Sequence, residues 1–90
     1  MPTLMIAYDL NRPGQDYSGL IARIKRHGPW WHHLDSTWFV RTTLSASEMR
    51  DDLGRFLDSG DELLVMNVSG DWWAGRGFDQ RAYDWFRDNL

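Results

Sequence analysis

Apolar residues along this chain fall into two kinds of repeat. Leu4 to Tyr8 is a short apolar run closed by Asp9 and then by Asn11-Arg12-Pro13-Gly14, a strand delivered into a turn. Tyr17, Leu20, Ile21 and Ile24 then recur at helical spacing, with Arg23, Lys25 and Arg26 off the stripe. Asp16 is the expected N-cap of this helix, and Gly28-Pro29 its stop. Trp30 to Thr43 holds no glycine or proline and is rich in aromatic and β-branched residues. It reads as two strands, Trp30–Leu34 and Trp38–Thr43, joined by a tight turn or bulge near Asp35-Ser36. Ser45-Ala46-Ser47-Glu48 has capping-box spacing, and Met49, Leu53, Phe56 and Leu57 continue as a helical stripe with Gly60 after its end. A fourth strand, Leu63–Val68, leads into the glycine-punctuated loop 70–77. Phe78, Ala82, Trp85, Phe86 and Leu90 form a last helical stripe.

The predicted order is β-α-β-β-α-β followed by a loop and a third helix. Two helices covering one face of a four-stranded antiparallel sheet make an α+β domain of the ferredoxin-like kind. The whole chain, 1–90, is read as one such domain. A strand with one wet face alternates apolar and polar residues. The first and fourth strands do not. Leu4, Ile6 and Tyr8 oppose Met5 and Ala7, and Leu64, Met66 and Val68 oppose Leu63 and Val65. The sheet is therefore apolar on both sides, and its second face needs either the C-terminal helix or the sheet of another copy.

Composition narrows the class. The chain has no cysteine, which excludes disulfides and thiolate metal sites, so 90 residues must be held by an apolar core. Hydrophobic residues make up 42% and include six tryptophans, whose large buried areas suit so short a chain. No apolar run approaches the roughly 18 residues of a membrane span, and the start lacks a charged leader, so a soluble cytoplasmic protein is expected. Net charge is −3, unevenly spread: residues 10–50 carry six basic and three acidic groups, while residues 51–90 carry four arginines and nine acids. The first half offers a local basic surface for a polyanion, against the simpler reading of an ordinary solvated surface.

Ile6-Ala7-Tyr8-Asp9-Leu10 resembles the first strand of the CRISPR-associated Cas-two proteins, and Ser36-Thr37-Trp38-Phe39-Val40 resembles, more loosely, their central strands. The closer resemblance is to the SinR family, a Cas-two-like group. Residues 9–17 (Asp9-Leu10-Asn11-Arg12-Pro13-Gly14-Gln15-Asp16-Tyr17), residues 30–38 (from Trp30-Trp31-His32-His33 to Trp38) and Asp61-Glu62-Leu63-Leu64-Val65 carry it. The resemblance implies a ferredoxin-like fold, dimeric through facing sheets, in a nucleic-acid-associated protein. It further implies that Asp9 from each subunit meets near the dimer axis, where the pair holds Mg²⁺ or Mn²⁺ for endonuclease cleavage of RNA or DNA. The chain departs from that pattern in being acidic and in ending with a helix rather than a short strand.

Two carboxylates a few ångströms apart can share a hard cation that activates water, and the resemblance implies that role, catalytic and metal-ligating, for Asp9 through the dimer symmetry that would supply the pair. Its alternative is to cap the turn after the strand. Arg12, Arg23, Lys25, Arg26 and Arg41 are the candidate anion-facing residues. Trp72 and Trp73, in the glycine-rich loop, are the tryptophans best placed to be exposed and to stack bases. His32 and His33 are neighbours on a strand and point to opposite faces, so they do not ligate one ion together. Gly70, Gly75 and Gly77 match neither a dinucleotide nor a P-loop fingerprint. The second reading is a non-catalytic interaction module that docks another protein through its apolar sheet and the Trp72-Trp73 loop. The two readings separate on whether the basic residues converge beside Asp9.

Overall fold

The computed structural model describes residues 1–11, 16–70 and 72–90. It is an α+β fold with one four-stranded antiparallel sheet. β1 (Thr3–Asp9), β2 (Trp30–His32), β3 (Thr37–Arg41) and β4 (Glu62–Asn67) lie in the order β2-β3-β1-β4. The connections α1 (Ser18–Arg26) and α2 (Ala46–Gly54) each link strands that have another strand between them, and α3 (Gln80–Asn89) closes the order. No helix among the described residues is long and apolar enough to cross a membrane.

Strand periodicity of two sets the two faces. Leu4 and Ile6 of β1 and Trp38 and Val40 of β3 meet Leu20 and Ile24 of α1 and Met49 and Leu53 of α2 in the main core. Trp31 and Phe39 point the other way, into a second cluster with Ala82 and Phe86 of α3. The Phe86 ring stands 4.8 Å from Trp31 and 5.9 Å from Phe39, both edge-on. The Thr3 hydroxyl donates to the Asn89 carbonyl and pins the far end of α3 to β1.

Helix ends follow local chemistry, with two departures from the sequence reading. The Ser45–Glu48 capping box is complete: the Glu48 amide donates to Ser45 Oγ at 3.1 Å, and the Ser45 amide donates to Glu48 Oε1 at 2.9 Å. This helix stops at Gly54 instead of running on to Leu57, because glycine is a poor helix former. Phe56 and Leu57 reach the core from two tighter turns, their amides donating to Leu53 and Gly54 carbonyls. The first helix takes Tyr17, not Asp16, at its N-cap position. Asp16 still accepts the Ser18 amide at 2.9 Å, and that contact lowers its pKa.

α1 and α2 are bolted together by one carboxylate. Arg23 Nε donates to Asp52 Oδ2 at 2.8 Å, His27 Nε2 lies 2.6 Å from the same oxygen, and Arg55 donates to Oδ1. The Arg23 hydrogen bonds, helped by His27 and Arg55, hold the Asp52 carboxyl well below the usual carboxylate range. A depressed folded-state pKa means that the unfolded chain takes up more protons on acidification. The stabilisation from Asp52 is therefore present above the unfolded carboxylate pKa of about 3.9 and is lost as pH falls below it toward the folded value. Urea titrations of wild type and Asp52→Asn should differ by about 1–3 kcal/mol near neutrality, with the gap narrowing below about pH 4. A gap that is constant across that range would remove Asp52 as the acid-sensitive link.

Candidate functional site

α3 covers only half of the second face. Its aromatic side lies over β2 and β3 and its last turn reaches Thr3 at the start of β1, which leaves Met5 and Ala7 half-buried and the β4 side chains of that face exposed. The register places Met5 opposite Met66 and Ala7 opposite Leu64, so these four side chains form one strip. Leu64 is 55% exposed and Met66 46%. At the end of the strip Asp9 is paired with Glu62, two exposed carboxylates side by side. Ala7, Asp9, Glu62 and Leu64 help to line a shallow depression of about 300 Å³.

The free side of β4 adds to this surface. Val68 donates its amide to the Thr3 carbonyl at 3.0 Å, which fixes the phase of the β1–β4 ladder. Antiparallel pairing alternates, so Glu62, Leu64 and Met66 bond to β1 while Leu63, Val65 and Asn67 turn their N–H and C=O groups outward. No lysine or proline guards this edge.

Asp9 projects from the second face, whereas Tyr8 points into the first and accepts a hydrogen bond from Trp38 Nε1 at 2.9 Å. Tyr8 and Ser36 approach through backbone, Tyr8 N–H donating to the Ser36 carbonyl. The expected turn at Arg12-Pro13-Gly14 lies outside the described residues, and among those described the Asp9 side chain caps no backbone amide after β1. Asp61 does that work, accepting the Asn11 amide at 2.9 Å, the Tyr17 hydroxyl at 2.8 Å and the Asp58 amide at 2.8 Å. Asp61 holds no position that periodicity marks, and its role appears only when residues 44 and 50 positions apart in sequence come together.

Among the described residues the expected basic surface does not form beside Asp9. Arg23 is spent on Asp52. Lys25 sits 5.0 Å over the Trp30 ring, at the opposite edge of the sheet from β4. Arg26 is exposed in the last turn of α1, on a helix that covers the other face. Arg41 pairs with Thr3 at the far end of β1, roughly 20 Å from Asp9 at about 3.3 Å per residue, and approaches the Asp88 carbonyl. Arg12 lies outside the described residues. The physical reason is that α1 displays its charges around the first face while Asp9 leaves the second.

Trp72 is fully exposed, as the glycine-rich loop implies. Trp73 is half-covered, its ring 5.2 Å from Phe86. His32 stacks on Trp38 at 3.8 Å between nearly parallel rings, while His33 is exposed on the other side, 6.2 Å from Trp31 and Phe78. The alternation of faces separates them as expected. Among the described residues no three His, Asp or Glu side chains gather as a metal cluster. Asp9 and Glu62 give one chain two adjacent carboxylates, the number through which Mg²⁺ is commonly bound when water fills its remaining octahedral positions. Comparison with protein-family models, with curated proteins and with solved structures finds no match to this chain.

Proposed function

We propose that this chain is a self-associating interaction module in which two copies meet through the open β1–β4 half of the second face. The strip Met5, Ala7, Leu64 and Met66 carries the reading, because it is contiguous apolar surface on a sheet whose other half is already roofed by α3. The dispersal of the described basic residues away from Asp9 supports an interaction module over a nucleic-acid-gripping surface. We read the strand order, with β1 and β3 inside and both crossover helices on one face, as the ferredoxin-like arrangement.

Sedimentation at about 100 µM, far above the Kd of a micromolar dimer, should give twice the chain mass for wild type. Leu64→Glu combined with Met66→Glu should give a monomer with unchanged far-UV circular dichroism. A wild-type monomer at that concentration would end the proposal.

One observation favours a second reading. Glu62 stands beside Asp9, so a symmetric pair would bring four carboxylates toward the interface rather than two. In that nuclease reading Asp9 and Glu62 would hold Mg²⁺ or Mn²⁺, whose chemistry there would be to activate water for attack on a phosphodiester. Wild type, Asp9→Ala and Glu62→Gln incubated with RNA and DNA and either cation decide it. The interaction module is expected to cleave nothing. Cleavage lost in both variants, with the dimer intact, would establish the nuclease.

A further inference from the structure

The opposite edge of the sheet carries a second surface, independent of whether copies pair. A groove of about 640 Å³ is lined by four consecutive residues, Trp30 to His33, and across from them by Phe78, Arg81, Ala82 and Trp85. Neighbouring strand residues point to opposite faces, so a groove that touches four in a row runs along the backbone edge of β2. Its far wall is one helical stripe of α3 and the turn before it.

The ladder phase says which groups of that edge are available. Arg41 donates its amide to the Pro29 carbonyl at 2.9 Å, so Pro29 and Trp31 face β3. Trp30 and His32 therefore aim their N–H and C=O groups into the groove, and neither residue's backbone has a hydrogen-bond partner among the described residues. The apolar wall is Phe78 and Trp85, with Trp31 closing the floor at 5.6 Å from Phe78. Arg81 is exposed and has no acidic partner among the described residues, whereas the Asp79 carboxylate at the same end accepts the Ala82 amide at 3.0 Å as the N-cap of α3. A slot with a bare strand edge on one side, aromatic rings on the other and one unpaired guanidinium has the complementarity of an extended acidic peptide. Backbone groups answer the edge, a side chain fills the wall and a carboxylate meets the cation.

We propose that this groove receives an extended peptide of another protein as an added strand on β2, with an apolar side chain against Phe78 and Trp85 and a carboxylate on Arg81. Two outward-facing residues limit the ladder to a few hydrogen bonds, so the affinity is modest, with Kd on the order of 10–100 µM.

The probe is a phage-displayed library of random dodecapeptides panned on the full chain, with enriched sequences resynthesised and titrated by ¹⁵N–¹H spectroscopy. Enrichment of an acidic residue near an apolar one is expected. Arg81→Glu should weaken binding about tenfold or more while leaving the folded spectrum in place. Hydrogen exchange of the Trp30 and His32 amides should slow in the complex, a readout that a merely sticky aromatic surface would not move. Free-acid and amidated versions of each peptide tell a terminal carboxylate from a side-chain one. Failure to enrich acidic peptides, or binding indifferent to Arg81→Glu, overturns the proposal. So do shifts of the groove resonances by AMP or oligothymidylate but not by peptide, which would make the slot a nucleotide site.

Discussion

Trp38→Ala is expected to cost about 3–5 kcal/mol, enough to leave the domain barely folded. The indole is 1% exposed, on an inner strand between the two crossover helices. Three contacts go with it: the 2.9 Å hydrogen bond to Tyr8, the His32 stack at 3.8 Å and the tilted packing on Trp30 at 5.3 Å. An alanine leaves a void that the two neighbouring strands cannot close, because the register of β3 is tied by ladders on both sides. A domain of this length has about 5–13 kcal/mol in total. The melting temperature should therefore fall by about 15–30 °C. Trp38→Phe refills most of the volume and loses the donor to Tyr8, for roughly 1–2 kcal/mol. Thermal and urea unfolding followed by circular dichroism check both, and a loss below about 1 kcal/mol for the alanine variant would contradict the packing described.

Gly28→Ala is expected to be nearly as damaging, by about 2–4 kcal/mol, although it adds a single methyl group. Gly28 has φ +153°, and a Cβ built there would stand 2.0 Å from the Arg41 carbonyl oxygen. That oxygen is backbone of an inner strand and cannot step aside without breaking the Arg41–Pro29 hydrogen bond that starts the β2–β3 ladder. Relief would have to come from moving α1 away from the sheet. Gly54→Ala is the internal control: nothing lies within 4 Å of its Cβ position, so in the last turn of α2 it should be neutral or stabilising by about 0.5–1 kcal/mol. Equal losses at both glycines would show that close approach is not what distinguishes Gly28.

Much of the fold was legible in local patterns. The apolar run at Leu4–Tyr8, the stripe at Leu20 and Ile24 and the Ser45–Glu48 box depend on residues within a few positions of each other, where periodicity and capping chemistry act directly. The same locality explains the correct separation of His32 from His33. The unpartnered second face was also legible, since Met5 and Leu64 break the alternation that a wet face requires. Its division into a roofed half and an open half was not. That boundary depends on where α3 docks, which is settled by the Thr3–Asn89 bond across 86 positions and by the Trp31–Phe86 contact. The basic residues show the limit in another way. Arg23 looks like a free surface charge until Asp52, 29 positions away, takes it. Asp9 itself fell where the pattern put it, at the end of an inner strand, but its neighbour Glu62 becomes visible only through the β1–β4 register.

The sheet ends in two bare edges of unequal length, six residues on one side and three on the other. Head-to-tail docking of a long edge on a short one is a heterologous contact, and wherever its rotation does not close into a ring it generates ribbons rather than a counted assembly. The brevity of β2 is then a safeguard. Two free residues hold a passing segment and are too few to seed a growing filament, so lengthening that strand by design would turn a receptor slot into a polymerisation end.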